Sequence, residues 1–199
     1  MVDDRDCDIL AARSRRGDPR ALAVLYRHLA PSLLAYLERM LRERADAEDV
    51  LHDAFLRLFE GRGWYTGRGR FRAWLFTVAT RLAFDRIKRR RRLSELEPYV
   101  RETALPRAAP SAGEGASYRE LLERIESALR DVPSAYAVAF HLRVREAFSY
   151  REMADICGEP EGTLRSRVHH TLRHLRGTLE RDGYTGFGIS LEKKEEEPR

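Results

Sequence analysis

Six polar side chains, Arg165, Ser166, Arg167, His169, His170 and Arg173, crowd a stretch in which Leu164, Val168, Leu172 and Leu175 recur at helical intervals. Wound as a helix, the stretch turns its aliphatic residues inward and its cations outward. Such side chains donate to phosphate oxygens and to base edges. Arginine can grip guanine through two bonds or anchor a phosphate, and spacing alone leaves both open. A helix of this kind needs a partner to hold it, and the residues just before it describe one. Ser149 with Glu152 forms a capping box, Met153 and Ile156 supply an apolar stripe beside the small Ala154, and Cys157-Gly158 ends the turn with the left-handed backbone glycine allows. Pro160 then opens the second helix, where its missing N–H costs nothing. A short helix, a glycine turn and a basic second helix make the helix-turn-helix pattern that reads a major groove. The same residues also suit a plain helical hairpin with a solvated basic face.

A second polar cluster lies in residues 45–60. Asp46, Glu48, Asp49 and Asp53 load the early turns, where the helix dipole favours negative charge, and Val50, Leu51, Ala54, Phe55 and Leu58 form the core face. Asp49 and His52, three apart, loosely match the carboxylate–histidine metal sites of helical bundles. Those sites need a second such pair on a facing helix, and the chain has none. His169-His170 lacks a nucleophile or ligand at useful spacing, and no phosphate-binding glycine loop joins a strand to a helix. No catalytic residue, metal or cofactor is expected. The loop at 61–70, GRGWYTGRGR, holds four glycines with Trp64 and Tyr65, aromatics that could stack on unpaired bases or fold back onto the core. The long helix at 71–92 carries Phe71, Trp74, Leu75, Val78 and Leu82 on its inner stripe and ends in a basic run.

These elements fit an all-α chain. Nearly every segment has helical period and none alternates as a strand does. The 199 residues have room for one or two domains, each with a core of its own. Charged residues make up 35% of the chain and the net charge is +5, concentrated in basic patches that suit a polyanion, while the acidic 43–60 segment suits a basic partner. A first helix runs from about Asp6 to Arg16, and Asp18-Pro19 starts a second, which Pro31 is expected to kink or break. Residues 94–117, rich in Pro, Ala, Ser and Gly, read as a linker. The organisation expected is a helical domain at 1–92, a flexible linker at 93–117, a second small helical domain at 118–182 and a disordered tail at 183–199. Cys7 and Cys157 show no disulfide or metal spacing. No apolar run spans a membrane and the acidic N-terminus is unlike a signal peptide, so no membrane insertion and a cytoplasmic location are expected.

Taken together, AEDVLHDAFLRLF followed by FRAWLFTVATRLAFDRIKRR, and later SYREMADICGEPEGTLRSRVHHTLRHLR, resemble the sigma-70-type RNA polymerase sigma factors of the extracytoplasmic-function (ECF) group. The likeness covers about residues 10–92 and 118–180. It implies a region-two domain that docks on core RNA polymerase, with Asp49, Leu51, His52, Asp53 and Leu56 as candidates; their alternative reading is a solvated helix face. It also implies melting of the minus-ten promoter element. Trp64 and Tyr65 are candidates for base contact there, and Arg68, Arg70, Arg72, Arg81, Lys88 and Arg89 for phosphate. Trp74 reads as core. The implied region-four domain reads the minus-thirty-five element through Arg165, Ser166, Arg167, His169, His170 and Arg173. Where the family commonly has Ile-Ala-Arg-Asn, this chain has Val78-Ala79-Thr80-Arg81, which leaves its minus-ten preference open; His170 and Thr171-Leu172 likewise replace a common arginine and Ala-Arg. The resemblance allows an anti-sigma partner without identifying one. A stand-alone helix-turn-helix regulator would account for the C-terminal half and leave the acidic helix, aromatic loop and basic helix without work.

Two promoter elements about 17 base pairs apart are separated by roughly 58 Å along the duplex axis. A linker of about 24 residues reaches roughly 80 Å when fully extended, but its relaxed span is about 25–30 Å. Something else must hold the domains apart, and core polymerase is what the resemblance supplies. The free chain is therefore expected to bind duplex promoter weakly in a gel shift, and tight, specific binding without polymerase would contradict this reading.

Overall fold

Asp3 begins the fold. Its carboxylate accepts from the Asp6 N–H at 2.8 Å while the Asp6 side chain accepts from the Asp3 N–H at 3.1 Å, a reciprocal cap that starts the first helix a little earlier than expected. The computed structural model describes residues 3–59, 65, 70–96 and 118–184. These hold eight α-helices: α1 Asp4–Arg15, α2 Pro19–Leu41, α3 Arg44–Phe59, α4 Phe71–Leu96, α5 Tyr118–Arg130, α6 Ser134–Phe140, α7 Tyr150–Cys157 and α8 Glu161–Arg181. One π-helical turn, His141–Arg145, follows α6. The all-α expectation holds for the described residues. Most of the linker read at 93–117 and nearly all of the tail read at 183–199 lie outside them.

Pro31 does not break its helix. α2 runs through it from Pro19 to Leu41, because Leu25 and Leu29 before the proline and Leu33 and Leu37 after it are buried in one core. The proline itself is exposed, so the clash and lost bond fall on the outer side. At α4 the helix also outruns its expected end, reaching Leu96.

The two helical domains also pack on one another: one apolar cluster joins Leu33, Tyr36, Leu37, Leu75 and Phe76 of the first half to Val138, Leu142, Phe148, Met153, Ile156 and Leu164 of the second. α4 packs on α7, and α2 on α6. A smaller cluster of Ala128, Leu129, Phe140 and Leu175 binds α5, α6 and α8. At the centre of the joint, Tyr36 is fully buried. Thr80 donates to the Phe76 carbonyl at 2.7 Å, which leaves its oxygen to accept from the Tyr36 hydroxyl, also at 2.7 Å. The Tyr36 ring lies 5.2 Å from Phe76 and 5.9 Å from the His141 ring.

His141 is buried beside Glu146. Burial pushes its pKa below the ordinary 6.5, outweighing the nearby Glu146 carboxylate, and the Arg39 and Arg145 charges act in the same direction as burial. Neutral imidazole fits the geometry: Nδ1 accepts from Arg39 Nε at 3.2 Å, which places the proton on Nε2. For Glu146 burial alone would raise the pKa, but the nearby His141 Nε2–H, the bond from Ser32 and the Arg72 charge bring it below 4.5. Both folded pKa values are depressed, so the unfolded chain takes up protons first as pH falls. The His141 contribution is whole above 6.5 and is lost on descent below that value. The melting temperature is thus expected to hold near neutral pH and then to fall as the solution is acidified. His141→Asn should flatten the first part of that descent, and parallel wild-type and variant profiles would contradict the assignment.

Candidate nucleic-acid and polymerase interfaces

The helix-turn-helix is built as its residues suggest. The Ser149 hydroxyl accepts from the Glu152 N–H at 3.2 Å while the Glu152 carboxylate accepts from the Ser149 N–H at 2.9 Å. Gly158 closes α7 at φ 69°, a left-handed conformation that favours glycine. Buried Leu164, Val168, Thr171 and Leu175 fasten α8, leaving Arg165, Ser166, His169, His170 and Arg173 exposed. Arg165, His169 and Arg173 recur every fourth residue and so share a line. Arg173 Nη2 lies 2.9 Å from His169 Nε2. Arg167 stands apart from the group: its side chain is only 21% exposed and binds Glu159 at 2.6 Å. It clamps the turn to the helix and is not free for a base edge.

Two residues of this face escaped the sequence reading. The Tyr150 ring has the Arg143 guanidinium 5.0 Å and the Arg165 guanidinium 4.4 Å from its centroid, so it sets where Arg165 points. Glu159 does the same for Arg167. A tyrosine just after a helix cap carries no sign in sequence that a cation one helix away will lie over it.

In the first half, α3 exposes Asp49, His52, Asp53 and Leu56, which fall on one face at helical spacing. Leu51 does not belong with them. It is 4% exposed and sits in the core, so it supports the face and cannot contact a partner there. Asp49 is also tied back, 2.9 Å from Arg86 of α4, which holds Asp46 at 2.6 Å. Tyr26 of α2 is 42% exposed, and its ring lies tilted 4.9 Å from that of Phe55 on α3.

The candidates for an opened strand divide. Arg81, Lys88 and Arg89 are exposed on α4, and between them Phe84 is 42% exposed, an aromatic that the sequence reading passed over. Arg81, Phe84 and Lys88 share a stripe. Arg70 is exposed at the helix start. Arg72 is engaged elsewhere, pairing with Asp4 at 3.2 Å and lying 3.7 Å from the Glu146 carboxylate. Tyr65 has turned inward: its hydroxyl donates to Asp8 and accepts from the Arg70 N–H at 2.9 Å, and its ring meets Phe71 and Trp74 at 5.4 and 6.1 Å. Packing onto the helix is the geometry seen for it, and Trp74 lies in the same cluster. Trp64 and Arg68 fall outside the described residues. Both cysteines are poor nucleophiles. Burial raises Cys7 to about 11 and Cys157 to about 12. Among the described residues no group of three or more His, Cys, Asp or Glu side chains is arranged to hold a metal ion, and no helix is long and apolar enough to cross a membrane.

The family model for sigma-70 region 2 matches residues 25–93 and that for sigma-70 region 4 matches residues 122–175. The chain is 33% identical over 174 residues to the RNA polymerase sigma factor CarQ of Myxococcus xanthus, spanning 84% of this chain and 96% of that protein. The chain belongs to the sigma-70 family of RNA polymerase sigma factors. Within the family it is an ECF-group sigma factor, 29% identical over 165 residues to the ECF RNA polymerase sigma factor SigL of Mycobacterium tuberculosis, at 82% and 92% coverage. It shares its fold with the sigma factor RpoE of Bartonella quintana, solved with the anti-sigma factor NepR (TM-score 0.59, 23% identity, 78% and 94% coverage). CnrH, solved with the cytosolic domain of CnrY, gives a TM-score of 0.58 at 21% identity, with 88% and 97% coverage. This sigma factor works with core RNA polymerase on promoter DNA. If Tyr150 orients Arg165, Tyr150→Ala should weaken holoenzyme binding to promoter roughly two- to fivefold, the scale of an exposed cation–π contact, while Tyr150→Phe leaves it unchanged. Equal affinities for the two variants would contradict this role.

Proposed function

We propose a division of labour among three faces of this sigma factor. The α3 face of Asp49, His52, Asp53 and Leu56 docks on core polymerase: its acids suit a basic partner surface and its exposed leucine supplies apolar contact. The α4 stripe of Arg81, Phe84 and Lys88 takes the opened minus-ten strand, with the cations on phosphate and the ring under a base. The α8 line of Arg165, His169 and Arg173, with Ser166 and His170 beside it, enters the major groove of the minus-thirty-five element. Arg167 and Arg72 act from behind as positioning residues. The chain contributes binding surfaces and no reacting group, acting as a non-enzymatic initiation factor in the bacterial cytoplasm, nucleoid-associated when in holoenzyme.

The observation that supports this most strongly is the pairing of an exposed phenylalanine with cations one turn to either side on α4. An aromatic ring left in water between arginine and lysine suits single-stranded nucleic acid, because unpaired bases gain about 1–3 kcal/mol each from stacking. A helix serving duplex phosphate alone has no use for it. Strand opening costs a few kcal/mol, so stacking and phosphate contacts must act together.

Run-off transcription with purified core polymerase separates these roles. Phe84→Ala should lower open-complex formation by roughly five- to a hundredfold, the kinetic equivalent of one stacked base, with core affinity unchanged. Leu56→Glu should instead weaken core binding at unchanged melting temperature. A Phe84→Ala variant that opens promoters at the wild-type level would remove α4 from strand capture.

A further inference from the structure

Arg86 lies on α4 two residues from both Phe84 and Lys88, which sets it about 200° around the helix from their stripe. It therefore takes no part in strand capture and turns toward α3, where its guanidinium forks. Nε donates to Asp46 at 2.8 Å and Nη2 to Asp49 at 2.9 Å, and Nη2 also lies 2.6 Å from Asp46. The two acids are held unequally. Asp46 takes both arms, its side chain is 17% exposed, and Arg90 stands 4.0 Å away as a second cation. Asp49 takes one arm, and its side chain is 64% exposed. Asp46 is the seat of the guanidinium, and Asp49 is reached only by its tip.

That tip falls on the face assigned to core polymerase. Asp53, on the same face, is exposed and has no ion-pair partner among the described residues, whereas Asp49 is already matched to a cation. A basic group arriving from a partner must displace Nη2 from Asp49 or settle beside a positive charge a few ångströms away, and like charges at that range repel. Arg86 cannot give way by moving off, because Asp46 keeps hold of it. Its charge also weakens the negative field that steers a basic surface onto the face. Holding Asp49 ready for its partner would be the opposite role, and the geometry speaks against it. A largely exposed carboxylate bonded through one nitrogen is little constrained, while the competing charge is fixed.

We propose that Arg86 is an internal competitor for Asp49, setting how tightly this sigma factor holds core polymerase by keeping part of its docking charge occupied. The proposal deepens the assignment of the α3 face to polymerase and rests on it.

Equilibrium binding of the full chain to purified core polymerase tests it. Arg86→Gln keeps the fold, because Arg90 leaves Asp46 with a cation. It should bind core roughly two- to fivefold more tightly than wild type, the scale of one exposed ion pair. Its affinity should also fall more steeply with added salt. A residue that merely braced α3 against α4 would weaken binding when removed. The gain should vanish once Asp49→Asn is added, because Arg86 acts through that carboxylate. Leu56→Glu probes the docking face through a residue outside this ion network. If it weakens binding while Arg86→Gln brings no gain, the competitor is overturned and the docking face stands. If Leu56→Glu leaves binding unchanged, the face is misassigned and the proposal falls with it. A gain from Arg86→Gln that survives Asp49→Asn would overturn the route through Asp49.

Discussion

A carboxylate taken out of water must find donors or lose its charge, and Glu146 finds them in both halves of the chain. Its partners are His141 on its own side and Ser32 and Arg72 across the joint. That requirement fixes how the halves meet. Once Glu146 is seated, Phe148 is carried onto Phe76, α7 is carried onto α4, and the two apolar stripes that each half would otherwise expose become one core. Tyr36 and Thr80 fill the remaining polar positions at the joint with bonds that leave neither hydroxyl alone.

The helices were largely legible in sequence because their determinants are local. Capping boxes, the Gly158 turn and apolar residues at helical spacing announce themselves within a few positions, and the helix-turn-helix stands where Ser149, Gly158 and Pro160 put it. What escaped was set by distant partners. Nothing near Arg72 says that it will be drawn to Glu146, seventy-four positions away. The burial of Leu51, by contrast, follows from its place on the core face, and only its reading as a polymerase contact conflicts with that. Pro31 misled as Arg72 did, since a local breaker is overruled when both flanking turns are buried in a common core. The site residues divided along this line. Those whose role is to face outward, Arg165, His169, Asp53 and Lys88, follow from helical phase alone. Those whose side chains are tied to partners elsewhere, Arg167, Arg72 and Tyr65, do not.

The charge pattern gives the sigma factor a physical logic. Its arginines serve two purposes that composition cannot separate: some stay in water on α4 and α8, where phosphate can reach them, and others are spent inside, on Asp46, Glu126, Glu146 and Glu159. A net charge of +5 on a chain with 35% charged residues therefore understates how localised the free cations are. The internal pairs are what allow an arginine-rich protein to fold around a shared core while keeping its outward basic faces available.

The central claim is that the Glu146 carboxylate, bonded across the joint to Ser32 and beside Arg72, makes the two halves one cooperative fold around a shared core. Calorimetric melting of the full chain, wild type beside Glu146→Gln, measures this directly. One transition is expected for the wild type, lowered or split in the variant. Two separate transitions in the wild type, unmoved by Glu146→Gln, would contradict it.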